Sequence, residues 1–164
     1  MKVSVVTFLL GFLFFSCMSQ TVDKTQLAGT WVLDKGTSNG KKVFDRSDVN
    51  VSIRADMVLA KELSGTVPVG TSKEMLIANS KERFRLNKGL RYIFTGDSVK
   101  IINADGYNFH GTYVIDPEQN TVTCEFIEKD VAKTTFTYRD NQLLLITGFK
   151  PENYEFVQVY VKSK

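Results

Sequence analysis

Between Leu90 and Val161, apolar and polar residues alternate in seven short runs: Leu90–Thr95, Ser98–Asn103, Tyr107–Ile115, Thr121–Ile127, Ala132–Tyr138, Gln142–Gly148 and Tyr154–Val161. A period of two is the signature of a half-buried β-strand. The joints are Gly96-Asp97, Ala104-Asp105-Gly106, Asp116 to Asn120, Glu128-Lys129-Asp130, Arg139-Asp140-Asn141 and Phe149 to Asn153. Each is short and carries Gly, Pro, Asn or Asp, so each is a hairpin turn. Parallel pairing would need connections of about a dozen residues or more. The pattern therefore predicts a seven-strand antiparallel meander. Upstream, Ala28–Asp34 alternates in the same way, with Trp31 and Leu33 on one face and Thr30 and Val32 on the other. Turn-forming residues from Lys35 to Lys41 place the end of that strand at Asp34. The predicted fold class is all-β, an eight-stranded antiparallel up-and-down barrel, because eight strands suffice for such a sheet to close.

The segment from about Lys41 to Gly89 follows a different period. Ala55, Val58, Leu59 and Leu63 fall on one helical face, with Ser52 as a cap and Gly65 as a stop. Thr71 and Glu74 have the spacing of a capping box, which starts a second helix over Met75 to about Glu82. One or two short helices are thus expected between the first and second strands. Irregular strands are the alternative, since Arg83 to Leu86 alternates.

Parity also separates the faces of the meander. Leu90, Tyr92, Phe94, Val99, Ile101, Tyr107, Phe109, Gly111, Tyr113, Val122, Cys124, Phe126, Thr134, Phe136 and Tyr138 share one face. Arg91, Lys100, Asn108, His110, Thr112, Thr123, Glu125, Lys133, Thr135 and Thr137 share the other. Unpaired charges cannot occupy the interior of a small barrel, so the first set faces inward. Ligand-lining candidates are Tyr92, Phe94, Tyr107, Phe109, Tyr113, Cys124, Phe126, Phe136 and Tyr138. Such a face could grip an apolar or amphipathic molecule while the phenols orient it. The alternative is a filled barrel whose tyrosine tips reach its ends or a buried water. Leu143 to Ile146 and Tyr154 to Val161 are apolar on both parities, and their orientation stays open.

The first 19 residues lie outside this pattern. Lys2, an apolar run from Val3 to Phe15 and the small residues of Ser16-Cys17-Met18-Ser19 compose a signal peptide with cleavage after Ser19. The run is too short to span a bilayer, which takes about 20 residues. Phe14-Phe15-Ser16-Cys17 is a loose lipobox, so a lipoprotein tethered through Cys17 is the rival. Cleavage divides the chain into residues 1–19 and a single domain over 20–164, and predicts a secreted or periplasmic protein. It also lowers the formal charge from +3 to +2, with acids and bases interspersed. No basic stripe points to nucleic acid. Cys124 is then the sole cysteine, which excludes an intramolecular disulfide and leaves stability to the core.

Gly29-Thr30-Trp31 resembles the Gly-x-Trp signature of the first strand in lipocalins and bacterial lipocalin-like domain proteins, which are calycin-type β-barrels. The resemblance implies that the helical segment forms a barrel lid, and makes Gly29 and Trp31 structural. It also implies that Trp31 closes one end against a basic residue near the last strands, for which Arg139 and Lys162 qualify. Gly111-Thr112-Tyr113-Val114-Ile115-Asp116 echoes Gly29 to Asp34, and a glycine bend at both places would suit curling strands.

Catalytic chemistry has little to draw on. His110 is the only histidine and faces outward beside Asn108 and Thr112. No His/Cys/acid cluster has metal-ligand spacing, and no metal or other cofactor is expected. Gly65 to Gly70 contains Pro68 and lacks the lysine of a phosphate loop. Glu62, Glu74, Asp105 and Glu128 are scattered, so nothing selects an acid–base pair. The expected function is non-catalytic binding of a small hydrophobic or amphipathic molecule in the barrel. One alternative is an envelope interaction module, a packed barrel that binds a protein or glycan. The other is a barrel-mouth enzyme, kept open by resemblance to barrel-type isomerases and cyclases.

Overall fold

A computed structural model describes residues 21–62, 72–128, 130–149 and 154–164. The signal peptide with its Ser19 cleavage site, Cys17, the Gly65 stop, Pro68, the Thr71 capping hydroxyl, and 150–153 of the last joint lie outside the described residues.

The chain runs α1 (Lys24–Leu27), β1 (Gly29–Ser38), β2 (Lys41–Asp45), α2 (Val49–Glu62), α3 (Lys73–Gly89), β3 (Arg91–Thr95), β4 (Ser98–Ile102) and β5 (Asn108–Asp116). It continues with β6 (Thr121–Phe126), β7 (Thr134–Arg139), β8 (Gln142–Phe149) and β9 (Tyr154–Lys162). Strands β3 to β9 pair antiparallel in sequence order, as the short joints require. β1 closes the cylinder. It pairs with β3 on one edge (Trp31 opposite Tyr92) and with β9 on the other (Trp31 opposite Lys162, Leu33 opposite Tyr160). The result is an eight-stranded antiparallel closed barrel, consistent with a calycin-like fold, with short helices added.

The inner face follows the alternation. Tyr92, Phe94, Val99, Ile101, Tyr113, Val122, Cys124, Phe136 and Tyr138 are buried, and Phe109 and Phe126 pack against them. Arg91 and Lys133 are exposed and Lys100 half-buried on the outer parity, with Lys133 paired to Glu125 across two strands. The two ambiguous strands are now oriented: Leu143 and Tyr160 point inward and are fully buried, and Leu145 packs on the core. Tyr107 departs from its expected place. It precedes β5 and is 68% exposed, because the strand begins only at Asn108 and the inner face has already ended.

The first strand outruns its expected end at Asp34. Lys35 to Ser38 has ladder partners on both edges, Lys41 to Asp45 on one side and Phe156 to Val159 on the other. Two rows of backbone hydrogen bonds outweigh the turn propensity of the side chains. The turn shrinks to Asn39-Gly40, with φ of 47° and 74°, the left-handed pair of a two-residue hairpin loop. Asn39 also clasps β9: its amide donates to the Glu155 carbonyl (2.8 Å), and its Oδ1 accepts from the Glu155 amide (2.7 Å). The helices consequently lie between β2 and β3.

Both helices start elsewhere than expected. α2 begins at Val49, and Ser52 is buried within it. Asp48 supplies the acceptor, taking the Asn50 amide at 2.9 Å. α3 is capped by Ser72, whose Oγ accepts from the Met75 amide at 3.2 Å. It runs on through the alternating Arg83 to Leu86, where Phe84 packs on Phe44 with centroids 5.4 Å apart.

The two echoed glycines are both needed. Gly29 has φ +124°, which other residues rarely adopt. At Gly111 a Cβ would fall far inside contact with the Glu125 carbonyl on β6, so the two strands can lie this close only because the side chain is missing. Gly111→Ala should lower stability by about 2 kcal/mol or more, the scale of an overpacked site that must shift backbone. Urea denaturation followed by Trp31 fluorescence measures it, and wild-type stability would show that the sheet has room there.

Candidate functional site

The barrel has two different ends. One is plugged. Val22, just before α1, and Leu27, its last residue, are buried, and the N-terminus of α1 is held by a reciprocal capping box between Asp23 and Gln26. Trp31 Nε1 donates to the Leu27 carbonyl at 2.7 Å, and its ring meets Tyr138 edge-on. Lys162 Nζ lies 5.8 Å from the Trp31 ring centroid and donates to the Gln26 carbonyl at 2.9 Å. Lys162 is therefore the basic partner of Trp31. Arg139 points into solvent beside Asp140.

Between the ends, the sequence-selected residues meet one another. Tyr92, Phe136 and Tyr160 form a triangle of edge-to-face contacts with centroids 5.0 to 5.5 Å apart, and Phe94 meets Tyr113 at 5.1 Å. Tyr113 donates to the Gly96 carbonyl, and Tyr138 to Asn141 Oδ1 at 2.9 Å, so these two phenols are anchored in turns. Burial drives the Cys124 thiol up to about 12. Burial also drives the Tyr92 phenol up to about 12, helped by the neighbouring Cys124 and opposed by a hydrogen bond with Thr134. Tyr160 is shifted upward by the same desolvation, with Tyr92 adding to it. At neutral pH all three are protonated and uncharged, so none is poised as a nucleophile or base.

The opposite end is covered by the helices and is not filled. A groove of about 540 Å³ runs between α2 and the β1–β2 hairpin. Val51, Ala55, Val58 and Leu59 line it from α2, Val43 from β2 and Phe156 from β9. The apolar helix face expected from the sequence is thus left open, with Val58 49% and Leu59 42% exposed, while Leu63 lies outside the described residues. Lys41, Lys42, Arg54, Asp56 and Arg83 line it with charged groups, and Ser38 and Asn39 at the hairpin turn complete the lining. Asp56 Oδ2 lies 3.1 Å from Arg83 Nη2 and joins α2 to α3 as an ion pair without a hydrogen bond. Arg46 holds the helices to the barrel: Nη1 donates to the Lys88 carbonyl at 2.8 Å and reaches the Leu33 carbonyl at 3.3 Å. The alternation of strands carried no sign of this groove. Its one trace in the sequence is the apolar α2 stripe, whose partner no local pattern reveals.

A second depression, about 380 Å³, lies on the outer face of β3 to β5 and includes Lys100, His110 and Ile127. His110 is exposed there. Among the described residues no three His, Cys, Asp or Glu side chains group as a metal site would need, and no helix is long and apolar enough to cross a membrane.

No family model matches the chain, and no curated protein does. Among solved structures it is similar to a DUF4847 family protein from Bacteroides vulgatus ATCC 8482, at 14% identity and a TM-score of 0.47, with 84% of this chain and 96% of that one covered.

The buried thiol and phenol give stability a direction with pH. Their folded pKa values lie above the ordinary 9.0 and 10.0, so unfolding releases protons that the fold retains. Their contribution is whole below about pH 9 and declines toward about pH 12. Thermal midpoints should therefore fall through this range, and Cys124→Val should flatten the first part of the decline. An unchanged slope in that variant would show that the thiol is not desolvated.

Proposed function

We propose that this chain is an exported, lipocalin-like barrel that binds a small hydrophobic or amphipathic molecule without transforming it. The molecule sits in the groove beneath α2, not among the inner rings. The carrying observation is the open apolar stripe of α2, facing Phe156 across a space of small-molecule size. Solvent-exposed Val58 and Leu59 cost hydration free energy that a ligand would recover. Trp31, Phe94, Tyr92, Phe136 and Tyr138, by contrast, are at most 6% exposed and already in contact with other rings. A non-catalytic role accords with the protonated state of Tyr92 and Cys124. Export rests on the leader from Met1 to Ser19.

The uncharged lipophilic dye N-phenyl-1-naphthylamine should gain fluorescence with the wild-type protein. Leu59→Asp places a charge on the apolar wall and should weaken that binding about tenfold or more. Val114→Asp, on the outer face of β5, should not affect it. Equal binding by Leu59→Asp would remove the groove as the site. N-terminal sequencing of protein recovered from the cell envelope should begin at Gln20. A detergent-partitioning form beginning at a blocked Cys17 would replace release by tethering.

A further inference from the structure

The groove has a sign as well as an apolar wall. Of the charged side chains lining it among the described residues, Lys41, Lys42, Arg54 and Arg83 are cations and Asp56 is the one anion. Asp56 is already committed to Arg83, and its side chain is only 16% exposed. An incoming cation would find that carboxylate covered and the other lining charges repulsive. The cations are differently placed. Lys42 leans on Asp45 at 3.1 Å and Arg54 on Asp48 at 3.4 Å, with their own side chains 52% and 67% exposed. The Arg54–Asp48 pair is exposed on both sides and holds its partners weakly, so an entering anion can share or displace Asp48 at little cost. Asp45 is only 17% exposed and is also held by Ser47, so Lys42 contributes its half-exposed ammonium without giving up that partner. Arg54 stands on the same helix as the apolar stripe, one residue before Ala55. A head group held at Arg54 therefore leaves its tail beside Ala55, Val58 and Leu59.

Resting on the groove reading above, we propose that the ligand is a monomeric, single-chain amphiphile with an anionic head. Arg54 and Lys42 hold the head, and the chain lies along α2 toward Phe156. A carboxylate and a phosphate monoester share the chemistry this needs, an oxyanion that accepts from guanidinium and ammonium donors. The size of the groove favours one chain over a patch of bilayer.

Four probes with one tail separate the possibilities: dodecanoate, dodecyl phosphate, dodecanol and dodecyltrimethylammonium. Each is titrated calorimetrically into the purified protein below its micelle concentration. Both anions should bind about tenfold tighter than dodecanol, and the ammonium more weakly than dodecanol. The ratio of anion to alcohol affinity should fall toward unity in Arg54→Glu and in wild-type protein at high salt, and persist in Arg54→Lys. The salt series keeps the test independent of how the variants fold. A preference for only one of the two anions would narrow the head group within the proposal. Equal affinity for dodecanol and the anions, lost together in Leu59→Asp, would overturn the anionic head and keep the groove. Binding to phosphatidylglycerol vesicles but to no monomeric probe would overturn the monomeric ligand. Failure of all four probes, with no dye binding either, would overturn both readings.

Discussion

The structure depends on β1 being hydrogen-bonded along both edges. A meander of seven strands has two open edges, and each is a row of unpaired amides and carbonyls. β1 consumes both by lying between β3 and β9. It outruns β3, and β2 takes over the same edge from Lys35 to Ser38. The changeover leaves a seam at Leu33 and Asp34. There Arg46 supplies what the sheet does not: its amide donates to the Asp34 carbonyl and its guanidinium approaches that of Leu33. Because the same guanidinium caps the end of α3 at Lys88, closing the cylinder and seating the helices share one side chain.

Closure explains how the core is held with no disulfide among the described residues. The inner side chains come from strands distant in sequence, and the rings among them meet edge to face, each such pair adding about 0.5–1.5 kcal/mol beyond burial. Filling the interior with rings has a second effect: the open space lies outside the ring cluster, beside α2. One end is stopped by Leu27 and Trp31, and the other is roofed by helices whose apolar residues the barrel does not use up. The asymmetry of the two ends, more than the barrel itself, creates the open apolar groove.

Much of the fold was legible because the relevant forces are local. Side chains alternate on a strand whatever surrounds it, and a charge such as Arg91 or Lys133 cannot be buried unpaired, so parity alone assigned Tyr92, Phe94, Phe136 and Tyr138 to the interior. The site was not legible in the same way. Val58 and Leu59 read as part of one helical face, and only the position of α2 over the β1–β2 hairpin leaves that face open. Lys35 to Ser38 read as a turn because Gly, Thr and Ser have that preference in isolation, which two neighbouring strands override. Tyr107 read as interior because its parity is right, although it stands one residue outside the strand.

Taken alone, the order of residues determined the antiparallel meander after Leu90 and which of its faces is apolar; these follow from side-chain alternation and desolvation within a few residues. Tertiary structure decided the rest: that Lys162 and not Arg139 covers Trp31, that Leu143 and Tyr160 point inward, and that Asn39 ties to Glu155. Each of those choices joins residues brought together only by closure of the barrel, and contacts across such sequence separations leave no periodicity in the chain.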